Sequence, residues 1–155
     1  MQTSRSRCHA LVGALVLGAA MLPAHLAAQN VEYLQSAATR SMGLPFSDAV
    51  RVGNMLYLSG QVGNLPGQNR LAPGGIQAET RQALENIKAV LEANGSAMDR
   101  VVKCLVMMAD IAEWPAMNEV YVTFFDKHFP ARSAFAGTGL ALGARVEIEC
   151  MATVG

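Results

Sequence analysis

Apolar and polar positions repeat along this chain at two different periods, and the switches between them mark its elements. Ala49-Val50-Arg51-Val52 and Met55-Leu56-Tyr57-Leu58-Ser59 are β-rich runs separated by Gly53-Asn54, which predicts two strands joined by a tight hairpin. From Ile76 to Asn94 the period becomes helical. Ile76, Ala83, Leu84, Ile87, Val90 and Leu91 share one face, with Glu79, Arg81, Glu85, Lys88 and Glu92 elsewhere, and Asn94-Gly95 is the stop signal. Val101 to Met108 reads as a strand apolar enough to be covered on most of both faces. A second helix is expected from about Pro115 to His128, with Pro115 in its first turn and Trp114, Met117, Tyr121, Phe124 and Phe125 on its buried side. The chain closes with a short strand near Ser133 to Ala136, a Gly/Ala/Leu loop, and a last strand from Arg145 to Ala152. Residues 29 to 45 read as a mixed polar leader, and Gly60 to Gly75 as a loop.

The order is strand, strand, helix, strand, helix, strand, strand. Helices are too few to cover both faces of a sheet, so an α+β layer with both helices on one face is expected. In the last strand Val146, Ile148 and Cys150 point one way, and Arg145, Glu147 and Glu149 the other. The apolar set belongs on the helices. The charged set then lines an uncovered face, where apolar residues of neighbouring strands invite self-association.

Composition changes this picture at one end. The chain has 155 residues, 52% hydrophobic and 15% charged, with formal net charge zero, which suits one domain. Part of that apolar content is not fold. Arg5 and Arg7 precede an uncharged run from Ala10 to Leu22, and Pro23-Ala24-His25-Leu26-Ala27-Ala28 follows it. This layout reads as a secretory signal peptide over residues 1–28, cut after Ala28, with the domain at 29–155 and a periplasmic location. The competing reading is a buried N-terminal helix. Without Arg5 and Arg7, 10 Lys+Arg face 12 Asp+Glu, a net charge of −2. That balance gives no electrostatic reason to expect nucleic acid, or a membrane after cleavage, as partner. Cys104 and Cys150 lie in apolar strand-like runs and read as buried free thiols.

Several chemistries have no support. Only His128 survives processing, and no paired Cys or His has metal-ligand spacing. Leu58-Ser59-Gly60-Gln61 lacks the nucleophile-elbow pattern, and no glycine loop opens a helix to cradle phosphate. What remains is Phe129-Pro130-Ala131-Arg132-Ser133 and Val146-Glu147-Ile148-Glu149-Cys150. Arg132 offers a planar fork matched to a carboxylate, and Glu147 is a carboxylate able to orient or deprotonate water. Read alone, these residues favour the commoner arrangement, Arg132 as a surface ion-pair partner with both glutamates facing solvent.

The order of the surrounding segments decides between these readings. Pro45-Phe46-Ser47-Asp48-Ala49-Val50, Leu58-Ser59-Gly60-Gln61, Asn118, Phe129-Pro130-Ala131-Arg132-Ser133 and Val146-Glu147-Ile148-Glu149 together resemble the RidA (YjgF-type) family of imine deaminases, over residues 45 to 153. The resemblance implies a chorismate-mutase-like α+β fold and a homotrimer with ligand clefts between subunits. It also implies hydrolysis of 2-imino acids and their enamine tautomers to 2-keto acids and ammonia, with no cofactor. In that likeness Arg132 matches the carboxylate-gripping arginine and Glu147 the glutamate that positions water. Ser59 and Gly60 match the polar strand end at the cleft, and Asn118 the helix asparagine near it. Phe46 stands where many members have tyrosine, and Ala134 where many have cysteine. The alternative is a non-catalytic periplasmic ligand-binding or holdase-like trimer. Export is the awkward element, since familiar imine sources are cytoplasmic pyridoxal-phosphate enzymes.

Overall fold

The computed structural model describes residues 29–155, so the expected signal segment at 1–28 lies outside the described residues. In chain order the elements are β1 (Val31–Leu34), α1 (Ala37–Ser41), β2 (Ala49–Val52), β3 (Met55–Leu58), β4 (Gln61–Val62), α2 (Gly75–Ala93), β5 (Val101–Met108), α3 (Trp114–Tyr121), β6 (Ala131–Ala136) and β7 (Val146–Thr153). One sheet runs in the order β1-β2-β3-β7-β5-β6, with β4 also paired to β7. It is mixed, because β6 lies parallel to β5 while the other pairs are antiparallel.

The β2–β3 hairpin forms as its alternation predicts, turning at Gly53 with φ 58°, a backbone state that L side chains rarely adopt. α2 buries Ile76, Ala83, Leu84, Ile87 and Leu91 against β7 and β4, and α3 packs beside it through Met117 and Tyr121. The sheet turns Leu56, Leu58, Cys104, Val106, Met108, Val146, Ile148 and Cys150 toward these helices. Both helices therefore cover one face. The other is uncovered: Tyr33, Val50, Tyr57, Met151, Lys103 and Ala131 form one row across it, and Tyr33, Tyr57 and Phe135 are exposed there.

The structure departs from the sequence reading in several places. Residues 29–45 are not a plain leader. They hold β1, which extends the sheet, and α1, whose N-cap Ser36 accepts a hydrogen bond from the Thr39 backbone N–H. The expected loop at 60–75 contains β4. The second helix stops at Tyr121, passes through a 3₁₀ turn at Val122–Phe124 and ends at Phe125, well short of His128; β-branched Val122 and Thr123 follow its last turn. Glu79, placed off the apolar face by the helical period, is nonetheless buried, and its carboxylate accepts the Arg145 backbone N–H at 2.8 Å.

Cys104 and Cys150 are not free thiols. They form a disulfide, with Cα atoms 4.1 Å apart. The physical reason is register: β5 and β7 place them directly opposite each other on the helix-covered face. Apolar flanks describe their burial correctly but carry no information about pairing.

Candidate functional site

Arg132 is the second residue of β6, which begins at Ala131 and not near Ser133 as composition predicts. Its pairing with Cys104 sets it in a row with Cys104 and Cys150, so its side chain rises on the helix-covered face. There it meets α3. The guanidinium carbon sits 4.6 Å from the centre of the Tyr121 ring and 5.3 Å from that of Trp114, and Nη1 donates to Asn118 Oδ1 at 2.7 Å. Trp114, Asn118 and Tyr121 follow one another at helical spacing on a single stripe of α3. A cavity of about 410 Å³ opens beside them, lined by Asn118, Tyr121, Val122, Phe129, Pro130 and Arg132.

The electrostatics of this seat are one-sided. No carboxylate pairs with Arg132 among the described residues. The Tyr121 hydroxyl is buried without a hydrogen-bond partner, and burial pushes its pKa up to about 12 against the opposing pull of the Arg132 charge. The phenol stays neutral at any working pH. A carboxylate entering the cavity therefore meets a guanidinium whose charge nothing nearby has cancelled.

Glu147 belongs to a second group. It pairs with Met107 of β5 and Val62 of β4, which puts it on the uncovered face, half-buried. Gly60 lies against it so closely that a Cβ there would run into the Glu147 carboxylate. Ser59 holds the segment before β2 in place: its hydroxyl donates to the Ser47 carbonyl at 2.7 Å, and its N–H donates to the Asp48 carbonyl at 3.0 Å. Exposed Phe46 is fixed beside this segment by the Gln35 amide, which donates to its carbonyl at 3.1 Å.

The candidate residues thus form two separate groups. Arg132 and Asn118 make one. Ser59, Gly60 and Glu147, with the Phe46 segment tied to Ser59, make the other. Ala134, two residues along β6 from Arg132, shares its face and packs half-buried on the core. Within one chain Arg132 and Glu147 lie on opposite faces of the sheet, so they do not meet at one cleft there.

Residues 37–154 match the family described as Endoribonuclease L-PSP. The chain belongs to that family, the RidA/YjgF group. The 2-iminobutanoate/2-iminopropanoate deaminase of Capra hircus is 45% identical over 111 residues, 72% of this chain and 81% of the relative. RidA from the Antarctic bacterium Psychrobacter sp. PAMC 21119 superimposes with a TM-score of 0.69 at 34% identity, over 83% of this chain and 99% of that one. E. coli TdcF with bound serine gives a TM-score of 0.67 at 32% identity, over 72% and 89% of the two chains. By sequence alone Trp114 and Tyr121 read only as the buried side of a helix. The available signal was their spacing around Asn118, which puts two aromatic rings and one amide on a single stripe.

Proposed function

We propose that this protein hydrolyses 2-imino acids, with their enamine tautomers, to 2-keto acids and ammonia. The site would be shared between copies of the chain in a chorismate-mutase-like trimer. The relatives' names support the reaction. The observation that carries the assembly is the placement of Arg132 and Glu147 on opposite faces of one sheet. A second copy seated on the uncovered face, where Tyr57 and Phe135 are exposed, brings its own arginine toward this chain's Glu147.

The chemistry asks for little more. The carbon of a protonated imine is already electrophilic. Arg132 binds the substrate carboxylate and fixes that carbon, which makes water attack nearly unimolecular. Glu147 accepts a hydrogen bond from the water and takes its proton as the C–O bond forms. The proton then passes to nitrogen; as the C–N bond breaks, the hydroxyl yields its proton through Glu147 to the departing ammonia, so that ammonium leaves and the C=O of the keto acid forms. Phe46, Ser59, Gly60, Asn118 and Ala134 shape the cleft.

Export to the periplasm completes the reading. It is supported by the Arg5/Arg7, Ala10–Leu22 and Ala28 pattern and by the Cys104–Cys150 bond, since disulfides persist in oxidising compartments.

An imine-trapping assay tests the function: purified mature protein is added to an amino-acid oxidase with its substrate, and lifetime of the imine is followed. Acceleration of imine loss is expected. Arg132→Ala and Glu147→Gln should each be inactive, the latter slowed about 10²- to 10⁴-fold as a lost general base. Unfolding and refolding the two variants together should restore activity through mixed assemblies with intact sites. Absence of any hydrolysis would leave the binding-module reading; variants active alone would remove the roles given to Arg132 and Glu147, and inactive variants that co-refolding does not rescue would remove the shared site.

A further inference from the structure

We infer that Trp114 and Tyr121 are positioning residues that hold Arg132 by their ring faces, keeping its guanidinium oriented and unneutralised for a substrate carboxylate. This rests on the carboxylate-binding role proposed above for Arg132. A flexible arginine at a sheet edge needs something to fix it, and the usual device is an acidic partner. An acid in that position would also compete with the incoming carboxylate. Aromatic rings avoid the conflict, because their negative faces attract the cation while carrying no net charge.

The geometry is arranged accordingly. The guanidinium carbon lies 4.6 Å from the Tyr121 ring centre and 5.3 Å from the Trp114 ring centre, both within cation–π range. Asn118, between them on the same stripe, accepts one N–H at 2.7 Å and supplies no charge. The remaining N–H groups of Arg132 donate to nothing among the described residues, which leaves an edge of the fork for a bidentate ligand. Tyr121 is itself fixed, being 3% exposed and packed at 4.8 Å, ring centre to ring centre, on Phe125. Its hydroxyl makes no hydrogen bond, so the ring and not the hydroxyl is what the seat uses.

The sequence contains one tryptophan, which makes the seat observable directly. Pyruvate is the probe. Its binding to the assembled protein should change Trp114 fluorescence, and Arg132→Ala should abolish the change. Calorimetry then compares variants whose folding and assembly match the parent by circular dichroism and sedimentation. Tyr121→Phe and Trp114→Phe keep a ring and should bind pyruvate within about threefold of the parent, whereas Tyr121→Leu and Trp114→Leu should weaken it about tenfold each. In the imine assay the leucine variants should raise KM more than they lower kcat. If Tyr121→Leu does not fold, half-buried Trp114 alone decides the matter. Folded leucine variants that bind pyruvate with parental affinity would overturn the inference, as would a parent protein whose fluorescence pyruvate leaves untouched. A seat that behaves as stated in a protein without imine hydrolysis would uphold it and remove the deaminase reading instead.

Discussion

Arg132 and Arg145 both reach α3 or the residue before it, one toward uncharged partners and the other toward a carboxylate. Arg145 grips Glu113 with two nitrogens, Nε at 2.9 Å and Nη2 at 2.5 Å, and that contact, with the pair's charges, holds its pKa above the ordinary value. Its charge is cancelled on the spot, and the pair fastens the start of β7 to the start of α3. Arg132 packs between Tyr121 and Trp114 and touches an amide. Its charge is held but not cancelled. An arginine's task is therefore legible from the charge of its partners more than from its exposure.

The sharpest way to break this comparison is to remove each arginine in turn. Arg132→Ala should lose both imine hydrolysis and pyruvate binding, the latter by roughly thirty- to several-thousand-fold, as expected for one member of a charge pair desolvated with its ligand. Arg145→Ala should leave binding and turnover within about twofold, because neither Arg145 nor its partner Glu113 touches Arg132 or lines the cavity beside it. Calorimetry and the imine assay read both. Equal losses in the two variants would erase the distinction.

A milder change sharpens the contrast by converting one arginine into the other kind. Asn118→Asp places a carboxylate where Arg132 now meets an amide. Pyruvate affinity should fall at least about tenfold, through neutralisation of the cation and repulsion of the ligand. Parental affinity in this variant would show that the uncharged seat is incidental.

The smallest expected effect comes from Tyr121→Phe. The lost hydroxyl has no partner, so stability at neutral pH should be unchanged or higher by up to about 1 kcal/mol in thermal unfolding. The pH dependence separates the two proteins. Tyr121 holds its proton more tightly folded, at about 12, than unfolded, at 10.0. Its contribution is fully present below pH 10 and is lost as pH rises toward about 12. The phenylalanine variant should lose less stability across that alkaline window.

Strong periodicity made much of this fold legible. The hairpin, α2, β5 and the inward set Val146, Ile148 and Cys150 stand where alternation or helical spacing places them. Weak or very short patterns did not carry. β1 and α1 are brief and sit among polar residues, and β4 is a two-residue strand inside a glycine-rich stretch. The two groups of candidate residues were legible in part. Glu147's face follows from alternation along β7, whereas Arg132's face depends on where β6 begins, two residues earlier than its composition suggests. Aromatic rings at helical spacing look like core in any sequence, and only the arriving arginine reveals a second use for Trp114 and Tyr121. The disulfide joins positions 46 residues apart, and strand register alone brings them together.

That bond gives the protein a built-in clock. Cys104 and Cys150 are 0% and 1% exposed, on the helix-covered face and directly paired between β5 and β7. Reduction requires a thiolate to approach one sulfur directly, and no small reductant reaches it while β5 and β7 stay zipped. Thiol release under dithiothreitol should therefore rise with reductant concentration only to a plateau, and the plateau rate is the rate at which the sheet opens. Each molecule would keep a chemical record of having come apart once, written at the centre of the structure where no surface probe can read it.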